Sequence, residues 1–106
     1  MHDLFADRKY DKLLECCSDI LEKDPQNIVA LKYKAYSFYF LKRYEKALCC
    51  YDMVIKLEPD KPSNYSAKSR VLERLGRYDE ARSCYEKVLE LKDQSTLGHD
   101  KTEYAL

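Results

Sequence analysis

Apolar positions along this chain fall on helical faces, and the faces recur. Leu13, Cys17, Ile20 and Leu21 mark one stripe, Ala47, Tyr51, Val54 and Ile55 a second, and Ala81, Tyr85, Val88 and Leu89 a third. The offsets within each stripe keep to one side of a 3.6-residue helix. Corresponding members stand 34 residues apart, and so do the tyrosines that head the stripes, Tyr10, Tyr44 and Tyr78, each followed by an acid. Between them runs a second kind of stripe, Leu31, Ala35, Phe38 and Leu41, which returns 34 positions later as Tyr65, Ser69, Leu72 and Leu75.

The stop signals share the period. Pro25 follows Asp24, and Pro59 follows Glu58. Proline lacks an amide hydrogen and its ring obstructs the preceding turn, so it ends a helix. Asp93 holds the third such position as a weaker stop. Gly76 closes one stripe, where a left-handed residue costs glycine little. The pattern predicts helices over about 9–23, 28–41, 44–57, 62–75 and 78–91, with a short sixth near 95–105 capped by Ser95. Met1 to Asp7 is expected to form at most a stub.

A 34-residue helix-turn-helix unit resembles the tetratricopeptide repeat family. Leu31, Ala35 and Phe38 resemble that family's large, small and aromatic pattern in a first helix, and Tyr65, Ser69 and Leu72 resemble it again. Ala47, Tyr51, Val54 and Pro59 resemble the second helix, as do Ala81, Tyr85 and Val88 without the proline. The chain departs from the family in lacking tryptophan, in placing Lys34 and Lys68 where leucine is common, and in replacing glycine by Ala35 and Ser69. The resemblance covers residues from about 9 to 92. It implies an all-α, right-handed superhelical array of antiparallel hairpins. The expected units are a partial repeat over 1–27 with only its second helix, full repeats over 28–61 and 62–95, and a tail or short capping helix over 96–106. Each repeat covers its apolar face with its neighbours. A partial first unit is therefore expected to leave Leu13, Cys17 or Ile20 partly bare. Three readings account for it: a piece of a longer array, pairing with another copy, or a complete chain with a frayed start.

Composition narrows the function classes. Among 106 residues, 19 basic side chains balance 19 acidic ones. Such a chain has no long-range field to draw nucleic acid or anionic lipid. With 45% hydrophobic residues and no net charge it is expected to fold. No basic leader or membrane-length apolar run is present in the sequence, so a soluble, cytoplasmic protein is expected. Five cysteines in that setting predict free thiols. Cys16, Cys50 and Cys84 share the 34-residue register and are expected to be small packing residues. No zinc-ligand spacing, phosphate loop or nucleophile motif appears, so neither metal, cofactor nor catalysis is expected.

The resemblance implies that the first helices of successive units line a concave groove. Helical period places Lys32, Tyr33, Tyr36 and Tyr39 of one unit, and Ser66, Arg70 and Glu73 of the next, off the packing stripe. These are the candidate peptide-binding residues, with Lys32, Tyr36 and Arg70 foremost. Tyrosine brings rigid area plus a hydroxyl, which suits recognition. The carboxylate clamp of chaperone-binding relatives is not reproduced. Val29 and Ser63 stand where a lysine would sit, and Tyr33 and Ala67 where asparagine or arginine would. The expected role is an adaptor or scaffold that binds a peptide or helix of another protein. Self-assembly through uncapped ends is the alternative, and a basic edge from Lys68 to Arg82 leaves RNA as the remaining rival.

Overall fold

The computed structural model describes the backbone of residues 4–104 and the side chains of residues 8–93. Five helices make up the described residues: α1 (Leu4–Lys23), α2 (Ile28–Phe40), α3 (Tyr44–Leu57), α4 (Pro62–Arg74) and α5 (Tyr78–Tyr104). No strand occurs among them. Local chemistry explains several of the boundaries. The amide of Asp24 reaches the Ile20 carbonyl at 2.8 Å and that of Glu58 reaches Val54 at 2.8 Å, each one residue before a proline. Asn27 caps α2 by accepting the Ala30 amide at 3.0 Å. Pro62 opens α4 in the first turn, where its missing amide hydrogen costs nothing.

The α2 and α4 ends are built alike. Beyond each lies one left-handed residue, Lys42 at φ 62° and Gly76 at φ 74°. Arg43 N–H donates to Phe38 (2.8 Å) and Lys42 N–H to Tyr39 (3.0 Å). Arg77 N–H donates to Leu72 (2.9 Å) and Gly76 N–H to Glu73 (3.0 Å) in the same way. Such paired bonds satisfy the last carbonyls and reverse the chain. They set α3 back along α2, and α5 back along α4.

Each helix packs mainly on its neighbours in sequence, α1 on α2, α2 on α3, α3 on α4 and α4 on α5. The chain is accordingly elongated. Its radius of gyration is 16.4 Å, against about 13 Å for a compact domain of this length. The core joins Ala47 and Leu48 of α3, Val71 and Leu72 of α4, and Ala81 and Cys84 of α5, all buried. Ala35, Val54 and Ser69 are wholly enclosed, as their columns required. Among the described residues Ser37 and Ser69 carry buried hydroxyls, donating to the Tyr33 carbonyl at 2.8 Å and the Ser66 carbonyl at 2.6 Å.

Several expectations need correction. Helix α1 begins at Leu4 rather than near residue 9, since no glycine or proline interrupts that stretch. Helix α5 runs past Asp93 and Gly98 to Tyr104, so no separate sixth helix starts near Ser95. Asp93 keeps its amide hydrogen and so does not block continuation. Cys16 is exposed while Cys17 is buried, so the cysteine column packs only in its two later members. Ile20 (45% exposed), Tyr85 (43%) and Leu89 (64%) lie on stripes yet are not covered. Periodicity marks which side is apolar; only a packed neighbour removes that side from water.

Candidate functional site

Two helix faces thirty-four residues apart make one groove. From α2 come Val29, Tyr33, Tyr36 and Phe40, and from α4 the same columns supply Ser63, Ala67, Arg70 and Arg74. Spacings of four, three and four keep each set on one side of its helix. The α2 wall is apolar and aromatic. The α4 wall begins small and ends cationic.

Three adjoining hollows run between these walls. The largest, about 550 Å³, lies between Val29, Lys32, Tyr33 and Tyr36 on one side and Ser63, Asn64 and Ala67 on the other, with Tyr51 of α3 as its floor. A smaller one, about 140 Å³, continues past Tyr36, Tyr39, Phe40, Tyr51 and Ala67 to Arg70. A third, about 350 Å³, opens beside Pro62, Ser66 and Arg70 towards Lys92 of α5. Ala67 borders all three. Its methyl group leaves the room that Tyr33 fills one repeat earlier.

The aromatic wall is held in place by its own packing. Tyr10 of α1 stacks on Phe40 with ring centres 5.3 Å apart and planes within 8°. Phe40 meets Tyr36 at 4.6 Å and Tyr39 at 5.3 Å, and Tyr39 meets Tyr44 edge-on at 5.6 Å. Offset and edge-on pairs of this kind add to area burial. Tyr33 and Tyr36 nonetheless keep about half their surface open, 52% and 46%. Tyr36, Tyr39 and Phe40 are thus positioned before anything binds to them.

Polar groups are unevenly shared. At one end Lys32 Nζ pairs with Glu58 at 3.1 Å. Buried Asn64 donates to the Glu58 carboxylate at 3.3 Å and to its main-chain carbonyl at 3.2 Å. The hydrogen bonds from Lys32 and Asn64 hold the Glu58 carboxyl below the usual carboxylate range. At the other end Arg74 Nε donates to the Tyr39 hydroxyl at 3.2 Å. That bond raises the guanidinium further. Exposed Arg70 makes no hydrogen bond or ion pair among the described residues. Burial pushes the Tyr51 phenol up, with Arg70 acting the other way.

The structure brings together Lys32, Tyr33, Tyr36, Tyr39, Ser66 and Arg70 from the residues singled out by period. Glu73 stands apart, since it accepts the Tyr85 hydroxyl of α5 at 3.1 Å and borders none of these hollows. Lys32 is not an idle cation but half of an ion pair. Tyr51 and Asn64 also line the groove, beyond the residues that the helical period selects. Tyr51 sits on a packing stripe and also reaches the floor of the groove. Asn64 gave no sequence signal. Among the described residues no cluster of histidine, cysteine or carboxylate side chains could hold a metal ion. No described helix is long and apolar enough to cross a membrane.

Residues 62–95 match the tetratricopeptide repeat, the stretch formed by α4 and the first two-thirds of α5. No curated protein matches the chain. Among solved structures, MamA AMB-1 is similar at 24% identity with a TM-score of 0.74, over 78% of this chain and 49% of that one. MamA MSR-1 is similar at 23% identity and a TM-score of 0.77, over 82% and 50%. A further crystal structure of MamA superposes with a TM-score of 0.79 at 17% identity, over 83% and 52%. The chain therefore spans about half the length of these structures, and the likeness is one of fold.

Proposed function

We propose that this array of tetratricopeptide-type hairpins is a protein-interaction module that holds a peptide or helix of another protein in the groove between α2 and α4. The observation that carries this reading is the hollow of about 550 Å³ walled by exposed Val29, Tyr33 and Tyr36. Apolar concavities with a few placed polar groups are the usual form of a binding site. Tyr33 and Tyr36 offer large surfaces, and the packing of Tyr36 on Tyr10 and Phe40 already restricts its conformation, which lowers the cost of binding. In this reading the full repeat units are 28–61 and 62–95, each pairing one groove helix with one backing helix. The five thiols, free in the structure, fit a cytoplasmic setting.

Selection from a displayed library of random peptides tests the reading. Peptides are expected to enrich on the wild-type protein and to lose binding on Tyr36→Ala, with circular dichroism showing that the helices persist. Selected peptides that bind Tyr36→Ala and Ala67→Arg as well as wild type would refute the groove as the site.

Self-association is a second reading, favoured by the uncovered face of α5. Tyr78 (67% exposed), Tyr85 and Leu89 stand together there at helical spacing. Light scattering over a dilution series, repeated on Leu89→Glu, tests it. A monomer at every concentration would remove it.

A further inference from the structure

Resting on the groove reading, we infer that the occupant is an acidic segment of a partner protein, with an apolar side chain seated beside Ala67 and carboxylates lying towards Arg70 and Arg74.

The argument begins with which charges face the groove. The side chains bordering its three hollows include Lys32, Arg70 and Lys92 but no carboxylate. The whole chain, by contrast, has equal numbers of both signs. The separate hollow between α3, α4 and α5 shows the contrast locally. There Lys68 meets Asp52 at 2.7 Å and Arg77 is paired with Glu80. Carboxylates near the groove are spoken for or turned away. Glu58 is held by Lys32 and Asn64, and Glu73 by Tyr85.

The cationic side is also placed to act. Arg70 is exposed and forms no hydrogen bond or ion pair among the described residues. Arg74, one turn on, meets a phenol instead of a carboxylate. An arginine fork matches a carboxylate with two parallel hydrogen bonds. Ala67 and Arg70 are three residues apart on α4, a rise of about 4.5 Å. With its side chain, Arg70 reaches an acid within a few residues of the seated apolar group, at about 3.3 Å per extended residue.

The apolar half follows from the walls. Val29, Tyr33 and Tyr36 face Ala67 across a space that no side chain of the described residues occupies. A purely charged ligand would leave that surface wet, whereas an aliphatic or aromatic side chain would cover it. Nucleic acid also combines negative charge with flat rings. It would bring several phosphates to a groove whose Lys32 is already paired, and the balanced overall charge gives it no steering field. The peptide is the better fit.

The test extends the library selection with one charge reversal, Arg70→Glu with Arg74→Glu, both on exposed positions. Wild-type protein is expected to select peptides rich in Asp and Glu near an aliphatic or aromatic residue. The reversed protein is expected to bind those peptides about two- to fivefold more weakly per lost pair and to select Lys and Arg instead. Sodium chloride should weaken the wild-type complexes. Acidic residues no commoner than in the starting library, or a preference unchanged by the reversal, would overturn the inference. The groove reading would survive that result as long as Tyr36→Ala still abolished binding. No enrichment on any protein would remove both. An oligouridylate that displaces the selected peptides at equal concentration would assign the charge to nucleic acid and overturn the inference as well.

Discussion

Lys42 and Gly76 occupy equivalent places thirty-four residues apart and share left-handed backbone, φ 62° and 74°, although only one of them is glycine. A side chain in this region brings Cβ too near the following carbonyl, at a cost of roughly 1–2 kcal/mol. Lys42→Gly is expected to raise stability by about 0.5–1 kcal/mol, part of the relief being offset by the freer unfolded chain. Gly76→Ala is expected to lower it by about 1 kcal/mol through backbone strain alone, because nothing lies within 4 Å of the added methyl. Urea denaturation checks both. Two changes of the same sign would contradict the account.

Leu72 and Ser69 share one face of α4, and both are enclosed, yet their removal should differ widely. Leu72→Ala empties space in the core cluster that α3, α4 and α5 share. A loss of about 2–5 kcal/mol is expected. Ser69→Ala removes a hydroxyl bonded to the Ser66 carbonyl, an oxygen within the same helix, and leaves a group of similar size. Stability should move by less than about 1 kcal/mol. Midpoints of thermal unfolding distinguish the two.

Glu58 ties α2 to the start of α4 through Lys32 and Asn64. Its carboxyl is held below the ordinary range by those hydrogen bonds. A folded-state value below the unfolded one stabilises the protein above the unfolded value, and the effect is lost as pH falls through the folded value. A side-chain NMR titration should find the Glu58 midpoint depressed. Lys32→Met should return it towards the ordinary range. The same midpoint in both proteins would show that the pair does not persist in solution.

The five cysteines should divide by exposure. Cys16 and Cys49 are exposed, and Cys17, Cys50 and Cys84 are buried. Burial is the first cause that pushes those three thiols up, leaving less thiolate to react. Brief treatment of the native protein with a maleimide should label Cys16 and Cys49, and urea should release the rest. Peptide mapping by mass spectrometry reads the pattern. Early labelling of Cys50 would contradict the packing of α3.

Helix positions were legible because one period wrote them repeatedly. Leu31, Ala35, Val54 and Leu72 are buried where their columns put them. The failures have local causes. Lysine does not announce left-handed backbone, so Lys42 gave no warning, whereas Gly76 did. The partner of Lys32 lies on the far side of a whole helix, and no short-range rule joins it to Glu58. Ile20 and Leu89 follow the stripe but lack a covering neighbour, a fact of tertiary packing. Tyr51 serves both the seam and the groove floor, and a one-dimensional pattern assigns it to only one.

Because each helix leans chiefly on the helix before and after it, most of the fold is made by segments close along the chain. Contact order is therefore low, and little loop-closure entropy must be lost before each joint is rewarded. Collapse and pairing are expected within microseconds to milliseconds, since the described residues have no long-range strand register to search. The same locality lets one joint loosen while the others stay shut, so the width of the groove can follow the angle between the α2–α3 and α4–α5 pairs.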